Sequence, residues 1–305
     1  MGFIIGCSSA LGLETTRLGT ANPSTRNRTT LVILSRIQIA AVAKRYGSIS
    51  ALERLDLTAQ PGRITGLMGT NGAGKTTGLR ILMGLVRADS GVALIDGRVY
   101  SKHPEPLRAA GFVGEDVRFH PARRGRDALR LVAGLVAGAG DQDVDDALSA
   151  TELTEVADRP VGGYSLGMRQ RLAIAAALVP RPEALVLDEP MNGLDPLGVR
   201  WLRQLLRAQA AQGSAVIVSS HLLSEMQMLI DDAVVIQQGT TVAEQPLAQL
   251  IGPERTLVTA SDEGLLRTAL TRAGATITRS PDNGMLVEGL GPEEIGRVAL
   301  TKRSY

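Results

Sequence analysis

Short apolar runs and helix-spaced apolar positions take turns along most of this chain. Ile37, Ile39 and Ala41 alternate with their neighbours as one face of a strand does, and Leu52, Leu55 and Leu57 follow. Residues 64–67, Ile-Thr-Gly-Leu, read as a short buried strand, and Leu79, Ile81, Leu82 and Leu85 then recur at helical spacing. Residues 122–163 are helical in pattern, with Leu129, Val132 and Val136 followed by Val144 and Leu148. Another apolar helical run covers residues 172–179. Residues 184–187, Ala-Leu-Val-Leu, and 215–220, Ala-Val-Ile-Val-Ser-Ser, are continuous runs of the kind a parallel sheet buries on both faces. Strands interleaved with helices predict an α/β fold.

The pattern changes after residue 252. A small βαββα unit is predicted, with strands at 256–260, 276–279 and 285–288 and helices at 264–272 and 292–299. Pro-Asp-Asn-Gly at 281–284 marks a turn, and the unit reads as a small α+β appendix that runs out at Lys302-Arg-Ser-Tyr305. Residues 1–35 differ again. They are rich in Ser and Thr, carry Arg17, Arg26 and Arg28 against Glu14, and show no amphipathic period. The apolar stretch 3–7 is short for a signal peptide. A transit peptide fits loosely; a disordered extension, or a start site assigned too early, fits better. The expected division is therefore 1–35 as an extension, 36–252 as the main domain with a helical subdomain at about 122–180, and 253–305 as the appendix.

The chemistry concentrates in residues 69–77, Gly-Thr-Asn-Gly-Ala-Gly-Lys-Thr-Thr. They fit the P-loop pattern GxxxxGK[ST], with a strand before and a helix after. Gly69, Gly72 and Gly74 let backbone N–H groups close around phosphates without a Cβ in the way. Asn71 and Thr77 belong to the same loop, and the following helix aims its positive end at the same place. The Lys75 ammonium offsets phosphate charge, and the Thr76 hydroxyl is suited to Mg²⁺. Gly78 falls inside the first helical turn, where it costs up to about 1 kcal/mol against Ala, and the pattern offers no reason for it.

Residues 184–190 deliver Asp188 and Glu189 at the end of an apolar strand, where open α/β sheets bind ligands. Asp188 is placed to hold Mg²⁺ and Glu189 to polarise an attacking water; alone, Asp-Glu-Pro reads equally well as a strand-ending turn. Residues 164–168, Tyr-Ser-Leu-Gly-Met, precede a helix, so Ser165 and Gly167 offer a second phosphate-binding end; in isolation a plain Ser N-cap explains them better. His221 follows an apolar strand at the expected crevice, whereas His103 and His120 read as surface residues.

In this order the motifs resemble the nucleotide-binding subunit of an ATP-binding-cassette (ABC) transporter over roughly residues 36–250. Residues 69–76 match its Walker A motif, 164–168 its signature, 185–189 Walker B with the catalytic glutamate, 192–196 the D-loop with Asp195, and His221 the switch histidine. The resemblance implies a P-loop NTPase cassette with an antiparallel β-subdomain near residues 36–57 and a helical subdomain carrying the signature. It implies ATP and Mg²⁺ as ligands, with Tyr46 stacking on adenine, Thr76, Asp188 and Glu115 around the metal, and Glu115 at the Q-loop position. Neighbouring Asp116 leaves that last register open by one. Lys75, Glu189 and His221 would carry catalysis. Ser165 and Gly167 would complete the site of a second copy in a head-to-tail dimer. The Tyr-Ser-Leu-Gly-Met signature and the Phe119-His-Pro121 stretch are similar to bacterial exporters of antibiotics and peptides, of the bacitracin and daunorubicin resistance type. Such exporters carry a similar appendix with one more strand, so the resemblance implies that the small α+β appendix here is incomplete. Such a subunit would sit at the cytoplasmic face of the cell membrane and power a separate transmembrane permease.

Composition narrows the rest. Thirty-three basic and 31 acidic residues give a net charge of +2, which is no nucleic-acid footprint. The longest uncharged apolar run, 131–140, is far below the roughly 20 residues a bilayer requires, so a pore would be another polypeptide. A single cysteine, Cys7, excludes an internal disulfide. Two alternatives stand beside the transporter reading. A soluble cassette ATPase of DNA repair or translation meets too short a stretch between Lys75 and Ser165 for a long coiled coil, and only one cassette. A regulatory cassette that binds ATP without hydrolysing it is opposed by the presence of Lys75, Asp188, Glu189 and His221.

Overall fold

A computed structural model of the protein describes residues 36–115, 118–251, 255–260, 263–279 and 284–301. Residues 1–35 with Cys7, Asp116, residues 281–283 of the expected turn and residues 302–305 lie outside the described residues. The main domain is built on nine strands: β1 (Ile37–Tyr46), β2 (Ile49–Ala59), β3 (Ile64–Met68), β4 (Ser90–Ile95), β5 (Gly111–Val113), β6 (Ala184–Leu187), β7 (Ala215–Ser220), β8 (Asp232–Gln237) and β9 (Thr240–Pro246). They lie in the order β4-β1-β2-β9-β8-β3-β7-β6-β5. Strands β3 and β5–β8 are parallel, and β4-β1-β2 is an antiparallel edge. The buried runs predicted at 184–187 and 215–220 are the central strands β6 and β7, buried at every position.

Alternation along those strands separates two cores. Leu185, Leu187, Val216 and Val218 face one cluster, which includes residues of the helices Leu166–Leu178 and Pro196–Ala211. Val186, Ala215 and Ile217 face the other, shared with β1, β2 and helix α1 (Lys75–Leu82). Two expectations are corrected here. Ala41 does not point inward: it takes a φ of 50° at a bulge in β1, is exposed, and Val42 takes the buried position. Leu85 does not belong to the helix after the P-loop. That helix stops at Leu82, closed by a left-handed Gly84 and by N–H bonds from Gly84 to Ile81 O and from Leu85 to Arg80 O. Leu85 is left 64% exposed.

Gly78 acquires its reason in the packing. A Cβ there would lie 2.4 Å from Leu55 Cδ2 of β2, so a larger residue would have to push that side chain aside for α1 to approach the sheet this closely. The helical region comprises α2 (Gly125–Ala133), α3 (Asp141–Ala150) and α4 (Leu166–Leu178). Its apolar pattern is cut at Gly134, so Val136 is buried from a loop and not from a continuous helix. Trp201, on α5 (Pro196–Ala211), donates to Ala150 O at 3.3 Å and stacks under the Arg171 guanidinium at 4.2 Å, joining this region to the central domain.

The C-terminal unit is βαββα. Strands β10 (Arg255–Val258), β11 (Thr276–Arg279) and β12 (Met285–Glu288) form an antiparallel sheet in the order β10-β12-β11. Helices α6 (Glu263–Arg272) and α7 (Pro292–Thr301) accompany it around Leu270, Ala275, Met285, Val287 and Ile295. The first strand ends at Val258, two residues earlier than its pattern predicts.

Candidate nucleotide site

Parallel order brings the C-terminal ends of β3, β6 and β7 together, and everything the motifs predict at those ends meets there. The loop after β3 folds over itself. Gly72 and Gly74 have φ of 79° and 107°, and a Cβ on Gly69 would lie 2.4 Å from Ile236 O. Lys75 opens α1, is 5% exposed, and reaches back to donate to Gly69 O at 2.7 Å and Thr70 O at 3.3 Å. Its ammonium is also 3.2 Å from Glu189 Oε1. The other oxygen of Glu189 lies 3.1 Å from His221 Nδ1. One carboxylate thus bridges the P-loop lysine and the histidine after β7.

These groups line an open cavity of about 310 Å³, with Asn71, Gly72, Gly74, Thr76, Thr77, Glu115, Ala51 and Asn192. Glu115 therefore stands in the same cavity as Lys75. Asp188 lies beneath it, fully buried. Asp188 Oδ1 accepts from Ser219 Oγ at 2.6 Å, while Oδ2 is buried without a hydrogen-bond partner. A buried carboxylate oxygen left unpaired is costly unless a cation or its water meets it. Hard oxygen donors at Asp188 and Thr76 suit Mg²⁺, so the residues fit that ion.

Besides Gly69 and Asp188, the predicted residues Tyr46, Ser165, Gly167 and Asp195 do not line the cavity. Tyr46 ends β1, is 48% exposed, and has Lys44 Nζ 5.5 Å from its ring centroid. Ser165 is the N-cap of α4, its Oγ accepting from Met168 N at 3.2 Å, and Gly167 follows in the first turn. Asp195 is the N-cap of α5, with Oδ1 accepting from Gly198 N at 2.7 Å. The cap role is thus present at both positions. Leu166 packs onto Gly193, where a Cβ would lie 2.3 Å from its Cδ2, so the signature and D-loop touch. Ala51, Asn192 and Ser219 were not singled out from sequence. Asn192 sits within the matched D-loop and was findable, whereas Ala51 and Ser219 carry no local signal.

A strand–glycine loop–helix that cradles a lysine, facing two carboxylates from the end of β6 one strand away across β7, defines a P-loop nucleotide-binding cassette. The family model for the ABC transporter matches residues 52–192. The chain is 38% identical over 216 residues to the bacitracin transport ATP-binding protein BcrA of Bacillus licheniformis, covering 70% of this chain and 71% of that one. It is 35% identical over 253 residues to the daunorubicin resistance ATP-binding protein DrrA2 of Streptomyces coeruleorubidus, covering 81% and 77%. Among solved structures it resembles the dimeric bacterial ABC transporter cassette MJ0796, with a TM-score of 0.63, 24% identity and coverage of 69% of this chain and 98% of that one. The chain belongs to the ABC transporter family, as an ATP-binding and ATP-hydrolysing subunit. No helix among the described residues is long and apolar enough to cross a membrane.

Proposed function

We propose that this chain drives export of an antibiotic or peptide by hydrolysing ATP against a separate membrane-spanning partner, from the cytoplasmic face of the membrane. The reading is carried by the meeting of Lys75, Glu189 and His221 over the buried, half-satisfied Asp188. Its subgroup rests on the likeness to proteins named for bacitracin transport and daunorubicin resistance.

In this reading the N–H groups of the P-loop and the Lys75 ammonium hold the phosphates of ATP, and Tyr46 supplies an aromatic face for the base. Thr76 and Asp188 would hold Mg²⁺, with Glu115 near it, and the ion would offset charge on the phosphate oxygens. Glu189 orients and polarises the attacking water, and His221 fixes the glutamate through the Nδ1 contact. Catalysis is mainly positioning and charge stabilisation, as phosphoryl transfer requires. Ser165 and Gly167 lie outside the cavity that Lys75 lines, which favours their serving the site of a second copy. ATP would then be clasped between a P-loop and the partner's signature, and its hydrolysis would release the pair. The 36–252 and 253–305 division assigns these steps to the first unit.

Two measurements test the proposal. Steady-state Mg²⁺-dependent ATPase of the wild type, against Glu189→Gln, should fall about 10²–10⁴-fold on substitution. A multi-span membrane protein should co-purify in mild detergent. Equal turnover in the two chains would remove Glu189 from the mechanism, and a partner-free chain in native membranes would remove the transport role.

A further inference from the structure

Ser219 occupies the last turn of the path that links the two carboxylates. It is fully buried near the end of β7, and the parallel register that pairs Leu187 with Val218 sets Ser219 beside Asp188. Its one proton goes to Asp188 Oδ1 at 2.6 Å, and its lone pair accepts the Glu189 N–H at 2.8 Å. Both consequences bear on chemistry. Engaging Oδ1 leaves Oδ2 as the free oxygen of Asp188. Accepting from Glu189 N holds that residue at a φ of 48°, a left-handed conformation unfavourable to any side chain with a Cβ. From that backbone the carboxylate reaches Lys75 and His221 together. Asp188 N donates to Val113 O on β5 while Glu189 N donates to Ser219 Oγ on β7, so successive N–H groups are held from opposite sides of β6.

We propose that Ser219 is a positioning residue that sets, through one hydroxyl, both the metal-facing oxygen of Asp188 and the left-handed backbone of Glu189. This rests on the roles given above to those two carboxylates. Removing the hydroxyl by Ser219→Ala frees Oδ1 to compete with Oδ2 and orphans a buried N–H. Loss of an outer partner of a metal-facing ligand typically lowers affinity or activity by about 10–100-fold. The effect should be confined to steps that involve the two carboxylates, because the P-loop contacts of Lys75 do not involve Ser219.

The test measures ATP affinity by fluorescence titration in EDTA and again with Mg²⁺, alongside kcat, KM and the thermal midpoint. In wild type, Mg²⁺ tightens binding and supports turnover. Without that behaviour the cassette assignment itself fails, and the wild-type control reports this separately. Ser219→Ala is expected to bind ATP in EDTA at least as tightly as wild type, since loosening Glu189 removes a competitor for Lys75, to lose about tenfold or more of the Mg²⁺-dependent tightening, and to lower kcat about 10–100-fold. Ser219→Thr, which keeps the hydroxyl, should recover most of kcat. Weakened binding in EDTA to the same extent as in Mg²⁺, or Mg²⁺ tightening and kcat within twofold of wild type, would overturn the proposal. If the alanine chain does not fold, the threonine chain decides: a kcat as low as that of Glu189→Gln in a folded Ser219→Thr chain refutes the hydroxyl's role.

Discussion

Replacing Glu189 with glutamine should tighten nucleotide binding for a reason unrelated to blocked hydrolysis. With no phosphate in the loop, the nearest anion to the Lys75 ammonium is Glu189, 3.2 Å away, and the two side chains are 6% and 8% exposed. An incoming phosphate must take the lysine from that carboxylate. A hydrogen bond between charged groups is worth about 1.5–3 kcal/mol, which corresponds to roughly 10–100-fold in a dissociation constant. Glutamine keeps the shape and removes the charge, so the free state loses a counter-ion while the bound state loses a repulsion with phosphate. ADP in EDTA isolates the effect, because nothing can be hydrolysed. Calorimetric titration should show Glu189→Gln binding ADP at least about tenfold tighter than wild type. The nucleotide-free variant should also melt lower, since a buried ammonium has lost its partner. In a Lys75→Ala background the same substitution should gain clearly less ADP affinity, because only the lost repulsion with phosphate remains. Equal ADP affinity in wild type and Glu189→Gln, or an unchanged gain without Lys75, would refute the competition.

Three further outcomes follow from the geometry. Lys75→Ala should abolish ATP hydrolysis and weaken ATP binding in a direct assay, because no other lysine or arginine lines the cavity among the described residues. Mixing Lys75→Ala chains with Ser165→Arg chains should restore part of the ATP-driven dimerisation, read by light scattering, since one composite site escapes both defects; no recovery would place both motifs in one chain's site. Gly78→Val should destabilise the fold by about 1–3 kcal/mol through overpacking, and urea titrations should show that Leu55→Ala relieves part of that loss, whereas additive losses would deny the contact.

The parts of this site legible in sequence are those in which chemistry is written in consecutive residues. Glycines at fixed steps before Lys75, and Asp188-Glu189 after four apolar residues, carry their geometry with them, because a strand end and a helix start leave few ways to place them. The central strands β6 and β7 were legible for the same reason: a run of apolar residues without alternation has no solvent face. The edge was less so. Ala41 satisfies strict alternation as well as Val42 satisfies a bulge, and only the pairing of β1 with β2 decides between them. Leu85 satisfies helical spacing too, but a left-handed Gly84 intervenes, and spacing does not register a stop.

What lay beyond the sequence was contact across strands. Gly78 looks like a defect when α1 is read alone; it is a fit when Leu55 of β2 is set against it. Ser219 looks like an ordinary strand residue two positions before a histidine. Its meaning depends on the parallel register of β6 and β7, which no local pattern states, and on the unusual φ of Glu189, whose N–H meets the Ser219 hydroxyl at that height of the neighbouring strand. Ser165 and Asp195 run the other way. Their motif roles point to a partner, while the folded chain uses both oxygens as helix caps. The two uses conflict only if each oxygen has one bond to give. A serine hydroxyl accepting from Met168 N still has its proton to donate to a phosphate, and a capping carboxylate keeps a second oxygen. The caps therefore fix these groups at the mouths of α4 and α5 without exhausting them, so in the proposed dimer a second copy would meet a surface already held in place.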